Sequence, residues 1–459
     1  MICTPITEST SDAFVGAIRE AEPLADYIEA RLDYLDSENL DSIISVLRHN
    51  AFQKPLILTF RPREQGGQRD LTLEDRKAFW SGLQSDLIAQ IAYADLELDL
   101  VESFGHSCPV AWDKVICSFH DFDETPAEIG AIFERLKSTL AGVVKIASYA
   151  RNVTDCARIL DLSKNAGDRP FIVLGMGPAG VPSRILALSR GALLTFGSLR
   201  QGSESAEGQP TARDLRELYR VTEINAETSI YGVIGYPVSH SLSPQIHNRA
   251  FARDGINAVY LPFEVSDLGK FVTEIVHPWR VQGLSVTIPH KIEIMDYLDW
   301  ISPVAQNVGA VNTVVARDNK LIGFNTDVTG AMKPLEKRID LKGARVAVLG
   351  AGGSAKAVVY GLEERGAIVT TFVRKTMNQF EGGFDVLINC TPVGMKGENE
   401  GSSPVSNITD VKLVYDLVYN PEETALLKLA REAGCETIGG LEMLYAQAEE
   451  QYRLWMGSK

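Results

Sequence analysis

Between Lys114 and Tyr149 the chain reads KVICSFHDFDETPAEIGAIFERLKSTLAGVVKIASY. An apolar, β-rich run (Lys114–Phe122) leads into a stretch of helical character (Pro126–Leu140), and a second apolar run (Val143–Tyr149) follows. Two such runs separated by one helix make a strand–helix–strand unit with parallel strands. The rhythm extends both ways. Apolar runs recur at Ile2–Ile6, Tyr27–Leu35, Pro55–Arg61 and Tyr93–Leu100 upstream, and at Phe171–Gly177 and Ala192–Leu199 downstream. Eight strands alternating with helices over about 220 residues predict a (β/α)8 TIM barrel. An open, doubly wound sheet is the alternative, and the strand count favours the barrel. The spacing also predicts one helix over Leu73–Ile91, with Leu73, Phe79, Leu83, Leu87 and Ile91 on its buried face and acidic residues in its first turn.

Beyond the barrel the polar stretch Val221–Thr228, VTEINAET, reads as a linker, and the strand Ile230–Tyr236 restarts an α/β pattern that continues to residue 330. A fresh strand, Ala344–Leu349, then runs into GAGGSAKA and a helix. We therefore expect a barrel over residues 1–222, a linker at 223–228, an α/β subdomain at 229–330 and a second, Rossmann-like subdomain at 331–459.

Composition agrees with this plan. A chain of 459 residues allows two to four domains, and 45% hydrophobic with 23% charged residues is ordinary for packed globular protein. The net charge of -15 argues against nucleic acid or an anionic membrane as partner. No uninterrupted apolar run of about 18 residues exists, so no membrane span is expected. The opening MICTPITESTSDAF lacks a basic region followed by an apolar run, so no signal peptide is expected either. The six cysteines have no CxxC spacing. They read as reduced thiols of a cytoplasmic protein, with no metal site.

Lys145 sits mid-strand in VVKIAS, where an ammonium is costly to desolvate. Such a lysine is either held in a buried ion pair or is a deprotonated nucleophile. His120 closes the preceding strand at the end where barrels keep their chemistry, so the two together fit an imine-forming lysine with an acid/base partner. Other strand ends bring Glu29, Arg31 and Asp33 in EARLD, Arg61 in TFRPREQGG, Arg184, and Ser205 and Gln209 in SESAEGQ. Guanidinium groups converging on one mouth fit a small, hydroxylated carboxylate.

In the second half, Gly350, Gly352, Gly353 and Ala355 form a GxGxxA-type turn between a strand and a helix, which suits a pyrophosphate at the helix N-terminus. The next strand, Ile368–Val373, ends in Arg374 and Lys375, and cations there suit a ribose 2′-phosphate. Upstream lie Ser241 and Ser243 in SHSLSP, Thr287 and Lys291 in SVTIPHK, Asn312 in GAVNT and Asp327 in FNTD. A lysine after a proline turn, joined by Asn, Thr and Asp, reads as an acid/base pair in a polar pocket.

With these motifs in hand, residues 1–222 resemble type I 3-dehydroquinate dehydratases through EARLDYL, TFRPREQGG, CSFHDF, VVKIAS, GVPSR and the Ser205–Gln209 loop. The resemblance implies a Schiff base between Lys145 and the ketone of 3-dehydroquinate. His120 would remove the adjacent proton and assist loss of the C1 hydroxyl as water. Arg184, Ser205 and Gln209 would hold the carboxylate and hydroxyls, with Glu29, Arg31 and Arg61 completing the pocket. One departure stands out: the family usually places a glutamate directly before the Gly-Gly pair, where this chain has Gln65, with Glu64 one residue earlier.

Residues 229–459 resemble shikimate dehydrogenases, through the motifs above and through NCTPVGM, DLVYNPEET and GGLEMLYAQA. This implies hydride transfer from NADPH to 3-dehydroshikimate, giving shikimate. Lys291 and Asp327 would be the acid/base dyad, Ser241 and Ser243 the carboxylate holders, and Thr287, Asn312 and Gln447 the hydroxyl binders. Thr391, Tyr419, Gly440 and Met443 would complete the NADP(H) site. Ser285 stands where the family usually has asparagine, and the segment after Lys375 is shorter than the family's. The alternatives are an NAD-dependent quinate or shikimate oxidase, and a ligand sensor that kept both pockets without chemistry. The oligomeric state is left open by the sequence.

Overall fold

The computed structural model describes residues 1–49, 52–397 and 399–457. They fall into two compact units: Met1–Ile230 together with Pro237–Arg280, and Tyr231–Tyr236 together with Val281–Lys459.

Eight strands open the first unit: β1 (Ile2–Ile6), β2 (Tyr27–Arg31), β3 (Leu56–Thr59), β4 (Tyr93–Glu97), β5 (Val115–Asp121), β6 (Val143–Tyr149), β7 (Phe171–Met176) and β8 (Thr195–Phe196). They pair in parallel in the order β7-β6-β5-β4-β3-β2-β1-β8, and the sheet curls into a nearly closed barrel. Its two ends approach where the Leu193 N–H donates to the Phe171 carbonyl at 2.8 Å. Helices cover the outside, so both faces of each strand are shielded, and six of the seven residues of β6 are buried. That double burial is why the strands read as nearly continuous apolar runs.

Three expectations shift. β4 stops at Glu97, and Leu98–Phe104 is helical. The run Ala192–Leu199 contributes only the two-residue ladder of β8. The helix expected over Leu73–Ile91 is two helices, Leu73–Gly82 and Ser85–Gln90, parted by extended backbone at Leu83 and Gln84. Its buried face is also different. Leu83, Leu87 and Ile91 are buried as expected, but Arg76 and Trp80 take the inward positions of the first segment, with Leu73 and Phe79 half-buried. Arg76 can be buried because carboxylates meet it: Nη1 donates to Glu97 Oε2 and Asp99 Oδ1 at 3.0 Å each, and Nη2 to Asp99 Oδ2 at 2.6 Å. The Val221–Thr228 stretch folds into turns, with Val221 and Ile224 buried. Within this unit the Pro237–Arg280 segment, with strand β10 (Ala258–Glu264), packs on the barrel; Ser266 Oγ donates to Asn152 Oδ1 at 2.8 Å.

The second unit begins with β9 (Ser229–Gly235), which runs parallel to β11 (Gly283–Val286). Next come β12 (Trp300–Ile301), β13 (Thr313–Arg317) and β14 (Lys320–Phe324); β13 is antiparallel to β11 and β14, and β12 is parallel to β14. A separate parallel sheet contains β15 (Arg345–Leu349), β16 (Ile368–Phe372), β17 (Val386–Asn389), β18 (Leu413–Asp416) and β19 (Glu436–Ile438), in the order β16-β15-β17-β18-β19. Two apolar layers sandwich it, one including Val346, Val348, Val358 and Leu362, the other Ala347, Leu349, Leu387 and Leu426. Between β16 and β17 there is only the 3-10 turn Met377–Gln379, anchored where Phe372, Phe380 and Phe384 meet at centroid distances of 5.6–5.9 Å. The closing helix, Gly440–Met456, packs on the Asp327–Glu336 helix.

Candidate active sites

The barrel mouth holds a cleft, and of the residues brought to it from sequence all line it except Asp33, which lies behind it paired with Arg31. Glu29, Arg31, Arg61, His120, Lys145, Arg184, Ser205 and Gln209 all line it. Gln65 lines it too, whereas Glu64 is exposed outside the lining, so the residue facing the site is the uncharged one. Gln65 Oε1 is buried with no hydrogen-bond partner.

Parallel register sets the geometry. Ser118 of β5 stands opposite Lys145 of β6, and Asp95 of β4 reaches the same layer. Lys145 Nζ donates to Asp95 Oδ2 at 2.7 Å and lies 4.0 Å from Glu29 Oε1. Ser118 Oγ donates to Asp95 Oδ1 at 2.6 Å, and Arg61 Nη2 lies 2.8 Å from that same oxygen. Thr59 Oγ1 donates to Glu29 Oε1 at 2.7 Å. The buried ion pair that the sequence offered as one reading of Lys145 is therefore present, in a cleft that also offers the nitrogen a reactive role.

Arg61 Nη1 sits against the His120 ring. Burial, followed by the Arg61 and Lys145 cations, holds the His120 imidazole well below its usual range, so it is neutral and able to accept a proton. Arg31 is paired internally with Asp33 at 2.8 Å and donates to the Gly66 carbonyl at 3.0 Å, pinning the loop that carries Gln65. Arg184 differs from the other cations. It is 2% exposed, its Nε has no hydrogen-bond partner, and among the described residues no carboxylate lies within ion-pair distance. Burial lowers its pKa to about 10. An unpaired buried guanidinium is costly, and an anionic ligand removes the cost.

Sequence reasoning missed Asp95 and Ser118, and the apolar walls Phe122, Leu174, Met176 and Phe196. Asp95 carried the same signal as Lys145, a charge inside an apolar parallel strand (YADLE).

In the second unit, β11 ends at Val286 and the chain turns through Thr287, which is half-buried, to Lys291. Lys291 Nζ donates to Asp327 Oδ2 at 2.6 Å and approaches Ser354 Oγ at 3.4 Å. Asp327 opens its helix, where the backbone dipole favours an anion. Asn312 Nδ2 donates to Asp327 Oδ1 at 2.8 Å, and Asn312 Oδ1 accepts from the Thr326 N–H at 2.7 Å. Gly330 lets the closing helix come close, since a Cβ there would stand 2.6 Å from Gln447 Cβ. Gln447 Oε1 consequently lies 3.4 Å from Thr326 Oγ1, beside the dyad's scaffold. Ser285 Oγ donates to Gln451 Oε1 at 2.9 Å, so the position where asparagine is usual is tied into the closing helix. Ser241 and Ser243 belong to the first unit; the Ser243 N–H donates to Ser241 Oγ at 3.2 Å, and Ser243 is buried.

Gly350 has φ +118°, in the region that favours glycine, and a Cβ there would meet the Cys390 carbonyl at 3.2 Å. Gly352 caps the Gly353–Glu363 helix, and a Cβ at Gly353 would lie 3.3 Å from Lys291 Cδ. Bare backbone thus faces the dyad lysine at a helix N-terminus, which is what a dinucleotide requires. Arg374 and Lys375 are exposed just past β16. The Thr391 N–H donates to Asn389 Oδ1 at 3.0 Å, Tyr419 is half-buried, Met443 is buried, and Gly440 starts the closing helix hard against the Leu417 and Val418 carbonyls.

A barrel with a lysine at its heart, followed by a dinucleotide fold with a lysine–aspartate dyad, defines a two-site enzyme combining lyase and oxidoreductase chemistry. Residues 2–226 match the family of type I 3-dehydroquinases, and residues 233–314 match the shikimate dehydrogenase substrate binding domain. The chain is 35% identical to the chloroplastic bifunctional 3-dehydroquinate dehydratase/shikimate dehydrogenase of Arabidopsis thaliana, over 100% of this chain and 82% of that protein. About half of it, 51%, is 41% identical to the NADP(+) shikimate dehydrogenase of Pyrococcus furiosus, of which 93% is covered. The crystal structure of shikimate dehydrogenase 1 from Peptoclostridium difficile is 34% identical over 50% of this chain and 93% of its own, with a TM-score of 0.47. This chain belongs to the bifunctional 3-dehydroquinate dehydratase/shikimate dehydrogenase family, whose two activities serve the shikimate pathway. Among the described residues, no helix is long and apolar enough to cross a membrane.

Proposed function

We propose that the barrel, residues 1–222, dehydrates 3-dehydroquinate at Lys145, and that residues 229–330 and 331–459 reduce the product to shikimate with NADPH. The observation that carries the first half is the pairing, in one cleft, of a buried lysine nitrogen with the unpaired guanidinium of Arg184. Arg184 takes the substrate carboxylate, assisted by Ser205 and Gln209, whose amide Nε2 is buried and unpartnered. Glu29, Arg31 and Arg61 complete the hydroxyl-binding wall. Lys145 Nζ adds to the ketone and expels its oxygen as water, leaving an iminium. Neutral His120 takes the proton from the adjacent carbon and returns one to the C1 hydroxyl as it leaves as water. Hydrolysis of the imine then frees Lys145.

In the reductase, Ser241 and Ser243 hold the carboxylate and Thr287, Asn312 and Gln447 the ring hydroxyls. Lys291, held by Asp327, supplies a proton to the ketone oxygen. The bound cofactor supplies the hydride. Gly350, Gly352, Gly353 and Ala355 would take its pyrophosphate and Arg374 and Lys375 its 2′-phosphate; Tyr419 and Met443 would line the nicotinamide side, with Thr391 and Gly440 completing the cofactor site. We place the enzyme in the cytoplasm, a reducing compartment consistent with six free cysteines.

Steady-state assay of both reactions tests the reading. Lys145→Ala should abolish dehydration and leave reduction near the parent rate. Lys291→Ala should lower reductive turnover roughly 10²–10⁴-fold, as loss of a positioned acid does, with little change in KM. Borohydride with dehydroquinate should add the ligand mass to the peptide bearing Lys145. An adduct on another residue, or dehydration by Lys145→Ala, would overturn the assignment.

A further inference from the structure

Asp95 is engaged through both carboxylate oxygens in the layer around Lys145, and the reaction as described leaves it without a task. It is 1% exposed, and its two oxygens meet Lys145 Nζ at 2.7 Å, Ser118 Oγ at 2.6 Å and Arg61 Nη2 at 2.8 Å. The Phe196 ring also lies beside the lysine nitrogen, its centroid 4.3 Å from Nζ. A carboxylate and an aromatic ring in contact with the same nitrogen both favour a positive charge there. We propose that Asp95 is a further catalytic residue of the dehydration: the fixed counter-ion of the Lys145 nitrogen in its two charged states, the resting ammonium and the substrate-bound iminium. The inference rests on the imine reading of Lys145.

Atom balance supports the role. An ammonium and a ketone become an iminium and one water: two of the three ammonium protons leave with the carbonyl oxygen, and one stays on nitrogen. The positive charge therefore remains in place while the covalent partner changes, so one carboxylate serves both states. The charge is also what the chemistry needs. Only a protonated imine draws the electron pair of the broken C–H bond toward nitrogen, and the same nitrogen returns that pair as the C1–O bond breaks.

Asp95 is suited to hold the charge and unsuited to take the proton. Burial alone would raise its carboxyl, but Arg61 and Lys145 outweigh burial and keep it well below the usual carboxylate range. His120 of β5, neutral, is the group able to accept a proton. Among the described residues, the other charged or titratable groups around this layer include Cys3 of β1 and Cys117 of β5, whose thiols burial pushes up, Glu29 of β2, Arg61 beyond β3, and Glu97 of β4, whose carboxyl burial raises. Glu29 is the rival counter-ion, but it stands 4.0 Å from Nζ and is engaged by Thr59.

The test uses the full chain, dehydroquinate and sodium cyanoborohydride, which reduces an iminium and spares a neutral imine. In the parent, trapping at Lys145 should stay efficient from pH 6 to pH 9. In Asp95→Asn, the alkaline limbs of both kcat and trapping should move down by about one to three pH units, the usual effect of losing an adjacent opposite charge. Ser118→Ala removes a hydrogen bond to Asp95 and keeps the charge, so its alkaline limb should stay where the parent's is. A circular-dichroism spectrum and a thermal unfolding transition like the parent's report that the barrel of Asp95→Asn remains folded. If that variant does not fold, the parent profile alone decides: trapping that fades through neutral pH overturns the role of Asp95. An adduct at Lys145 whose pH dependence is the same in Asp95→Asn also overturns it. No adduct at Lys145 in active parent overturns the imine reading, and this inference with it.

Discussion

His120 sits where two cations and burial all oppose protonation. Burial contributes most, and Arg61 and Lys145 add to it. Its folded pKa is depressed, so the base form persists as pH falls through the ordinary histidine value. The profile of kcat/KM for dehydration reports the free enzyme and should stay flat through pH 6.5, with its acid limb well below that value. An acid limb at or above pH 6.5 would contradict the environment seen here. At this scale the sequence was legible wherever a charge interrupted an apolar strand, which is how Lys145 stood out. Asp95 interrupts β4 in the same manner, yet a lone acid in YADLE says nothing about its partner fifty residues away. The choice between Gln65 and Glu64 was equally closed to sequence. It depends on a 3-10 turn over Arg63–Gln65 that faces one side chain inward and the other to solvent.

The first helix after β3 shows what periodicity misses at the scale of elements. An amphipathic count assigns its inward face to Leu73 and Phe79, because arginine is scored as polar. The fold buries Arg76 since Glu97 and Asp99 wait at the end of β4 and just beyond it, contacts that no local window contains. The pair is not balanced. Glu97 is fully buried, only its Oε2 is bonded, and burial, opposed by Arg61 and Arg76, leaves its carboxyl raised to about 7. In the unfolded chain the group ionises near pH 4.5, the value from which it is raised. As pH rises from there to about 7, the unfolded state loses its proton first, so the stability present below that window is lost across it. With one pKa unit worth about 1.4 kcal/mol, the fall amounts to about 3 kcal/mol. Glu97→Gln should remove this slope, so that parent and variant melting temperatures, measured from pH 4.5 to pH 8, diverge in the variant's favour as pH rises. Parallel curves would show that Glu97 ionises normally through its pairing with Arg76.

For the whole molecule, the two-part plan was legible because each half repeats a simple alternation of strands and helices, and because each carries motifs at its strand ends. What was not legible is where compact packing divides the chain: the Pro237–Arg280 segment groups with the barrel through contacts such as Ser266 to Asn152, which have no local sequence signature. Cofactor preference is a property of the same scale, since in the proposed reading the dinucleotide sheet delivers one strand end to the adenosine ribose. β16 is an edge strand of that sheet, and the chain leaves it through Arg374 and Lys375 into a single 3-10 turn. Both cations are exposed, so solvent screens them and their contribution to a 2′-phosphate stays near the weak end for charge-assisted contacts. That end still amounts to about 1.5 kcal/mol, or roughly tenfold in kcat/KM for NADPH over NADH. Arg374→Ala should cut NADPH efficiency severalfold and leave NADH use nearly unchanged, because the 2′-phosphate is the group we assign to that side chain. The loss should shrink at high salt, as a screened interaction does. Equal use of the two cofactors by the parent would remove the 2′-phosphate role from this strand end and favour an NAD-dependent oxidation in its place.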